Sequence, residues 1–154
     1  MNDSSDEVLG AIETEIALLM RMGEATRRAT PVEPHRALDR AAYVILRQLD
    51  EAGPTNVSTL AARLNLDGST ITRQVTAMQR DGLVTRAPDP ADGRGTLISP
   101  TAHGLHCVSV VRAARREIYG KILADWNAAD RATLATLMHR LNVSLSAHKP
   151  TARN

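Results

Sequence analysis

The sequence predicts a mainly α-helical protein with one small β-hairpin. Apolar side chains recur at helical spacing along most of its 154 residues. Two short runs rich in β-branched residues, Leu83–Arg86 and Thr96–Ser99, flank a segment rich in Pro, Gly and Asp. Cap residues precede several of the helical stretches. The expected fold class is therefore mainly α-helical with a single β-hairpin. We expect one domain, which spans residues 1–154.

Two helices are expected before the centre of the chain. The first has an apolar stripe and ends near Thr30–Pro31. The second stops at Gly53–Pro54, where glycine and proline interrupt the helical pattern. The stripe of the first helix comprises Val8, Leu9, Ile12, Ile16, Leu19 and Met20, and that of the second Leu38, Ala42, Ile45, Leu46 and Leu49.

Residues 57–80 predict a helix-turn-helix. Asn56 is a natural cap for a short helix over 57–64, and Asp67 for a second helix that continues to Arg80. In the second helix, apolar residues recur at i, i+4 and i+7, whereas the opposite face carries hydroxyl and guanidinium groups. A helix of this kind fits the major groove of DNA.

The hairpin follows directly. Its loop, residues 87–95, is long and carries Arg94 next to a glycine. Two short helices followed by a hairpin with an arginine at its tip form a winged helix-turn-helix. The lobe is expected over about residues 34–100.

Two further helices complete the chain. A long helix follows Thr101, and Asn127 with Asp130 three residues later predicts the start of the last one. Their apolar positions are Val108, Val111, Ile118 and Ile122 in the long helix, and Leu134, Leu137, Met138, Leu141 and Leu145 in the last. The winged lobe alone is too small to bury the terminal stripes, so they favour oligomerisation; packing on their own domain is the alternative.

Five sequence blocks resemble the signature of the MarR family of bacterial transcription regulators. They are Leu60-Ala61, Ser69-Thr70-Ile71-Thr72-Arg73, Asp81-Gly82-Leu83-Val84, Asp92-Gly93-Arg94 and Leu97-Ile98-Ser99-Pro100-Thr101-Ala102-His103-Gly104. The resemblance implies a homodimeric repressor that binds double-stranded DNA at a pseudo-palindromic operator. It assigns dimerisation to helices in about residues 1–30 and 101–147.

The expected DNA contacts lie on the second helix of the motif and on the hairpin. Arg73 suits a guanine edge or a phosphate, with pairing to Asp67 or Asp81 as the alternative. By resemblance, Arg94 enters the minor groove and Asp92 orients an arginine, either Arg94 or Arg86; a solvated turn is the alternative. The complete predicted set is Ser69, Thr70, Thr72, Arg73, Gln74, Arg86, Asp92 and Arg94.

The resemblance also implies a small effector, bound between the dimerisation helices and the DNA-binding lobe. Tyr43, Arg40 and Arg47 are the candidate residues for an anionic aromatic molecule, and surface or core packing is the alternative for each. Two rival functions are a metal- or thiol-responsive sensor built on His103, His106 and Cys107, and a winged domain that binds protein. Neither a cofactor nor a metal is expected.

Other classes of protein lack support in the sequence. No nucleophile elbow or phosphate-binding glycine loop indicates an enzyme. Cys107 is the only cysteine, which fits a reducing compartment. No signal peptide or long apolar run indicates secretion or a membrane span, so a cytoplasmic location is expected.

Overall fold

The computed structural model describes residues 3–28 and 38–148. Within them, the helices are α1 (Asp3–Arg28), α2 (Arg40–Ala52), α3 (Val57–Leu64), α4 (Gly68–Arg80), α5 (Ala102–Ile122) and α6 (Ala128–Ala147). The strands are β1 (Thr55–Asn56), β2 (Val84–Pro88) and β3 (Thr96–Pro100). The predicted helix end near Thr30–Pro31 lies outside the described residues. The mainly helical fold with a small sheet is confirmed.

The chain divides into two compact units, residues 1–33 and 34–154. The described part of the first unit is α1. Its apolar stripe is exposed: Val8, Leu9 and Leu19 each retain more than half of their accessible surface. Ile16, in the middle of the stripe, is half-buried.

The second unit has one apolar core. Ile45, Leu60, Ile71, Val75 and Ile98 are completely buried and come from α2, α3, α4 and β3. Because the buried apolar residues of each helix recur at helical spacing, each helix turns one face inward and leaves its polar face in solvent. The core thereby fixes the orientation of the helix-turn-helix.

The sheet has three antiparallel strands in the order β1–β3–β2. Val84 pairs with Pro100 and Pro88 with Thr96, which gives the predicted hairpin. Strand β1, in which Thr55 pairs with Ile98, was not predicted from the sequence. Two residues are too few to show an alternating pattern, so this strand is defined only by its partner.

Helix α2 begins at Arg40, two residues after the first residue of its apolar stripe. Asp39 caps it by accepting a 2.7 Å hydrogen bond from the backbone N–H of Ala42. Leu38 therefore precedes the helix, although its side chain is buried in the core.

Helices α5 and α6 are joined by a tight turn. Arg131 of α6 donates through Nη2 to the carbonyl oxygens of Leu123 and Ala124, at 2.6 and 3.1 Å. These bonds give hydrogen-bond partners to carbonyl groups at the end of α5. Asn127 caps α6 as predicted, accepting from the N–H of Asp130 at 2.8 Å. No residue of α6 is buried, and Leu137 and Leu145 are each more than half exposed. None of the described helices combines the length and apolarity needed to cross a bilayer.

Candidate nucleic-acid interface

The first turn of α4 is organised by Asp67. Its carboxylate accepts from the backbone N–H and the hydroxyl of Thr70, both at 2.7 Å, and also from the hydroxyl of Ser69. These hydrogen bonds, led by that of Ser69, hold the pKa of Asp67 far below its usual range. Two hydroxyls predicted to contact DNA are therefore fixed by the helix cap.

The two faces of α4 differ sharply. Ile71, Val75 and Met78 point into the core, as their spacing predicts. Thr72 and Arg73 are exposed on the other face. No hydrogen bond or ion pair joins the guanidinium of Arg73 to another residue in the described part of the chain. The alternative pairing of Arg73 with Asp67 or Asp81 is not formed; Asp81 instead lies 3.7 Å from Arg80.

Gln74 lies at the boundary between these faces. Its Oε1 atom is buried and has no hydrogen-bond partner among the described residues. The side chain lines a surface cavity of about 240 Å³ beside Asp39, Ala42 and Met78. Arg73 lines the same cavity, but Gln74 is the less exposed of the two residues.

The tip of the hairpin is closed by hydrogen bonds from its own residues. The N–H of Asp89 donates to the oxygen of Gly95 at 2.9 Å, and the N–H of Gly95 donates to the oxygen of Asp92 at 2.8 Å. The carboxylate of Asp92 accepts from the backbone N–H of Arg94 at 3.1 Å. Asp92 therefore orients the backbone of Arg94, and the Arg94 side chain is exposed.

Arg86 connects the hairpin to α4. Its Nη2 atom donates to the hydroxyl of Thr76 at 2.7 Å and to the carbonyl oxygen of Thr72 at 3.1 Å. The Nε atom is buried. This guanidinium is therefore held against α4, in contrast to the freely exposed Arg73 and Arg94.

The candidate effector residues occupy different surroundings. The guanidinium of Arg115, on α5, lies 4.1 Å from the centre of the Tyr43 ring. Arg47 forms ion pairs with Asp50, at 2.7 Å, and with Glu51. Arg40 lines a shallow cavity of about 280 Å³ together with Ala41, Val44, Leu64, Leu66 and Gln74.

The contact of Arg115 with Tyr43 was not predicted from the sequence. The arginines of α5 were visible in the sequence as Arg112, Arg115 and Arg116. Only the crossing of α2 and α5 determines which of them reaches the tyrosine. A cation over an aromatic face is a favourable contact that an effector would have to replace.

Cys107 is buried, and its burial raises the pKa of the thiol. Its sulfur lies 3.7 Å from Nε2 of His103, one helical turn away. His106 is exposed. Within the described ranges, no three His, Cys, Asp or Glu side chains are placed to hold a metal ion.

Comparisons with known proteins agree on one family. The family model described as "MarR family" matches residues 38–96. The uncharacterized HTH-type transcriptional regulator YxaD of Bacillus subtilis is 37% identical over 105 residues, which are 68% of this chain and 73% of the relative. The HTH-type transcriptional repressor IacR of Pseudomonas putida is 35% identical over 82 residues, 53% of this chain and 49% of that protein.

A solved structure extends the similarity beyond the winged lobe. The PcaV transcriptional regulator from Streptomyces coelicolor, determined in complex with its natural ligand, superimposes with a TM-score of 0.66 at 26% identity. The match covers 85% of this chain and 92% of PcaV.

Proposed function

The chain belongs to the MarR family of transcription regulators, and from this premise we propose that it binds a pseudo-palindromic DNA operator as a homodimer. Helix α4 of each subunit enters a major groove. The hairpin places Arg94 in the adjacent minor groove, where a narrow groove attracts a guanidinium. Two copies of α4 about one helical turn (~34 Å) apart read the two half-sites. Binding of chromosomal DNA also implies a cytoplasmic location.

The observation that carries this proposal is the exposed polar face of α4 above a fully buried apolar face. Ser69, Thr70 and Thr72 offer hydroxyls, and Arg73 offers a guanidinium that has no partner among the described residues. Rigid support matters because a side chain on a fixed helix discriminates between bases without first being ordered. Gln74 and Arg86 contribute to the same surface, Arg86 by supporting α4 from the hairpin side.

The proposal is tested with a library of random-sequence duplexes. Purified protein should enrich one inverted-repeat sequence, and binding to it should weaken steeply as salt is raised, because phosphate contacts release counterions. Failure to enrich any sequence, or binding that is insensitive to salt, would favour a protein-binding role for the lobe instead.

We further propose that the protein is a repressor released by a small anionic aromatic effector that contacts Tyr43, Arg40 and Arg47. Two relatives support this: IacR is named as a repressor, and PcaV was solved with its natural ligand. Such an effector shifts the two recognition helices only if it binds more tightly to a spacing that does not match DNA. In the free protein, Arg115 covers the Tyr43 ring, and the carboxylates of Asp50 and Glu51 pair with Arg47. The effector would have to replace these contacts.

A panel of aromatic carboxylates and their uncharged amides tests the effector. Active acids should dissociate the operator complex, and the matching amides should not. Loss of the response in Tyr43→Ala, with operator affinity retained, would support the site. An unchanged response in that variant would place the effector elsewhere.

A further inference from the structure

The first turn of α5 lies directly against the segment that ends α4. The N–H of Thr101 donates to the carbonyl oxygen of Leu83 at 3.0 Å. A Cβ atom at Gly104 would stand 2.2 Å from that oxygen and 3.0 Å from Cδ2 of Leu46. Only glycine permits this approach, because any side chain would displace the backbone of residue 83.

The hydroxyl of Thr101 connects two helix ends. It donates to the carbonyl oxygen of Gly82 at 2.6 Å and accepts from the N–H of Gly104 at 2.9 Å. The second bond caps α5. The first holds Gly82, which has a φ of 71°. One side chain thus fixes the start of α5 to the residue just beyond α4.

The held segment also closes α4 itself. The N–H of Gly82 donates to the oxygen of Gln79 at 3.1 Å, and the N–H of Leu83 donates to the oxygen of Met78 at 2.9 Å. We name Gly82, Leu83, Thr101 and Gly104 the recognition joint. Any displacement of α5 at this joint therefore acts on the end of the proposed recognition helix.

We propose that the recognition joint sets the spacing of the two recognition helices, with Thr101 as its positioning residue. This inference rests on the proposed function and deepens it. From the joint, α5 runs to exposed apolar residues at its other end, Tyr119 and Ile122, within the region expected to contact the partner. Helix α5 therefore links the dimer contact to α4, and the joint is where the two helices meet.

Loss of the Thr101 hydroxyl should reduce affinity for the full operator more than affinity for a single half-site. Without the Thr101 hydroxyl, α4 samples several positions relative to α5, and only a fraction of dimers has the correct spacing. The apparent dissociation constant for a two-half-site operator rises by the reciprocal of that fraction. A single half-site reads one α4, so its affinity does not depend on the spacing.

The experiment compares the wild type with Thr101→Val, which removes the hydroxyl at nearly constant volume, and with Thr101→Ser, which keeps it. The probes are the duplex enriched by the wild type, the same duplex with its half-sites moved by one or two base pairs, and a single half-site. Thr101→Val should lose roughly fivefold on the enriched duplex, the effect of one or two hydrogen bonds. It should also discriminate less between spacings, bind the half-site normally and remain dimeric in sedimentation.

Asn56→Ala is the matched control. The Asn56 side chain caps α3 by accepting from the N–H of Thr59 at 2.8 Å. Its removal leaves the recognition joint intact. Because the full operator engages two subunits, the free-energy loss of this variant there should be about twice its loss on the half-site. Thr101→Ala, which adds no bulk, is measured beside Thr101→Val in case valine disturbs folding.

Wild-type spacing preference in the valine and alanine variants would overturn the inference while leaving the proposed function intact. A free-energy loss on the full operator of about twice the loss on the half-site would also overturn it, since a purely local cap acts once in each subunit. If the wild type enriches no sequence, the proposed function fails, and the joint loses its role with it.

Discussion

The arginines at the proposed interface differ in what holds their guanidinium groups in the free protein. Arg73 and Arg94 are exposed and have no partner for these groups among the described residues, whereas Arg86 is held by Thr72 and Thr76. An unpaired guanidinium is available to bond a base edge or a phosphate bidentately. A held guanidinium contributes chiefly by fixing its neighbours. We therefore propose two different roles for arginine within one lobe.

Arg94→Ala should weaken operator binding by about 1–3 kcal/mol, because it removes a positive group from the minor groove without disturbing the turn. The bond from the Arg94 backbone to Asp92 remains in the variant. Titration of the enriched duplex measures the loss. Arg140→Ala, which removes an exposed charge from α6, serves as the control; equal affinities of both variants and the wild type would exclude the minor-groove role.

Arg73→Ala and Arg86→Ala form a matched pair. If Arg73 reads a base, its loss should cost about 1–3 kcal/mol on the operator and less on unrelated DNA; if it binds a phosphate, the salt slope should fall by about one. Arg86→Ala should also weaken binding, through a displaced α4, but with an unchanged salt slope. A reduced slope for Arg86→Ala would instead make Arg86 a direct phosphate contact.

At the scale of elements, local signals predicted the helix starts well. Asn56, Asp67 and Asn127 are caps in the structure as the sequence predicts, because a cap bonds to a backbone group only three residues away. Strand β1 and the contact of Arg86 with α4 were missed for the opposite reason. Their partners lie 14 or more residues away in sequence at Thr72 and Ile98, and only the folded arrangement defines them.

The same distinction applies to the predicted site. The exposed face of α4 follows from helical spacing, so Thr72 and Arg73 could be placed from the sequence. Gln74 lies where the two faces meet, and spacing alone did not show that its oxygen turns inward. Likewise, the cysteine was visible in the sequence, but its burial depends on how α5 packs.

The cap at Asp67 gives the start of α4 a defined pH dependence. Its pKa is lowered in the folded state from an ordinary value of 3.8, chiefly by the Ser69 hydroxyl. The stabilisation is therefore complete above the unfolded pKa and is lost as pH falls through the folded pKa. Asp67→Asn, which keeps a capping oxygen but no charge, should unfold at a slightly lower temperature than the wild type at pH 7.

The difference between these two proteins should shrink as pH falls below about 4, where the aspartate of the unfolded chain becomes protonated. Thermal unfolding followed by circular dichroism from pH 7 to pH 3 measures it. Asp125→Asn, in the turn between α5 and α6, controls for general loss of negative charge. A constant difference for Asp67→Asn over this range would show that the charge does not stabilise the cap.

At the scale of the whole molecule, the exposed apolar residues are concentrated outside the winged lobe. Leu137, Leu141 and Leu145 share one face of α6 and are exposed, as is the stripe of α1 considered by itself. Contiguous apolar surface of this kind marks a protein–protein contact. The winged lobe, by contrast, buries most of its large apolar residues within a single chain, although Val44 and Leu66 are exposed. We therefore expect the terminal helices to form the contact of the proposed homodimer.

Leu137→Glu should separate the proposed homodimer or unfold it, because the substitution would bury an unpaired carboxylate in the interface. Thr136→Glu is the matched control: it adds the same charge to the opposite face of α6, one residue away. Sedimentation at micromolar concentration should give a dimer for the wild type and for Thr136→Glu, and monomer for Leu137→Glu. Since a monomer carries one α4, its affinity should fall much further for the full operator than for a half-site. A wild-type monomer that still binds the full palindrome tightly would contradict the proposed assembly.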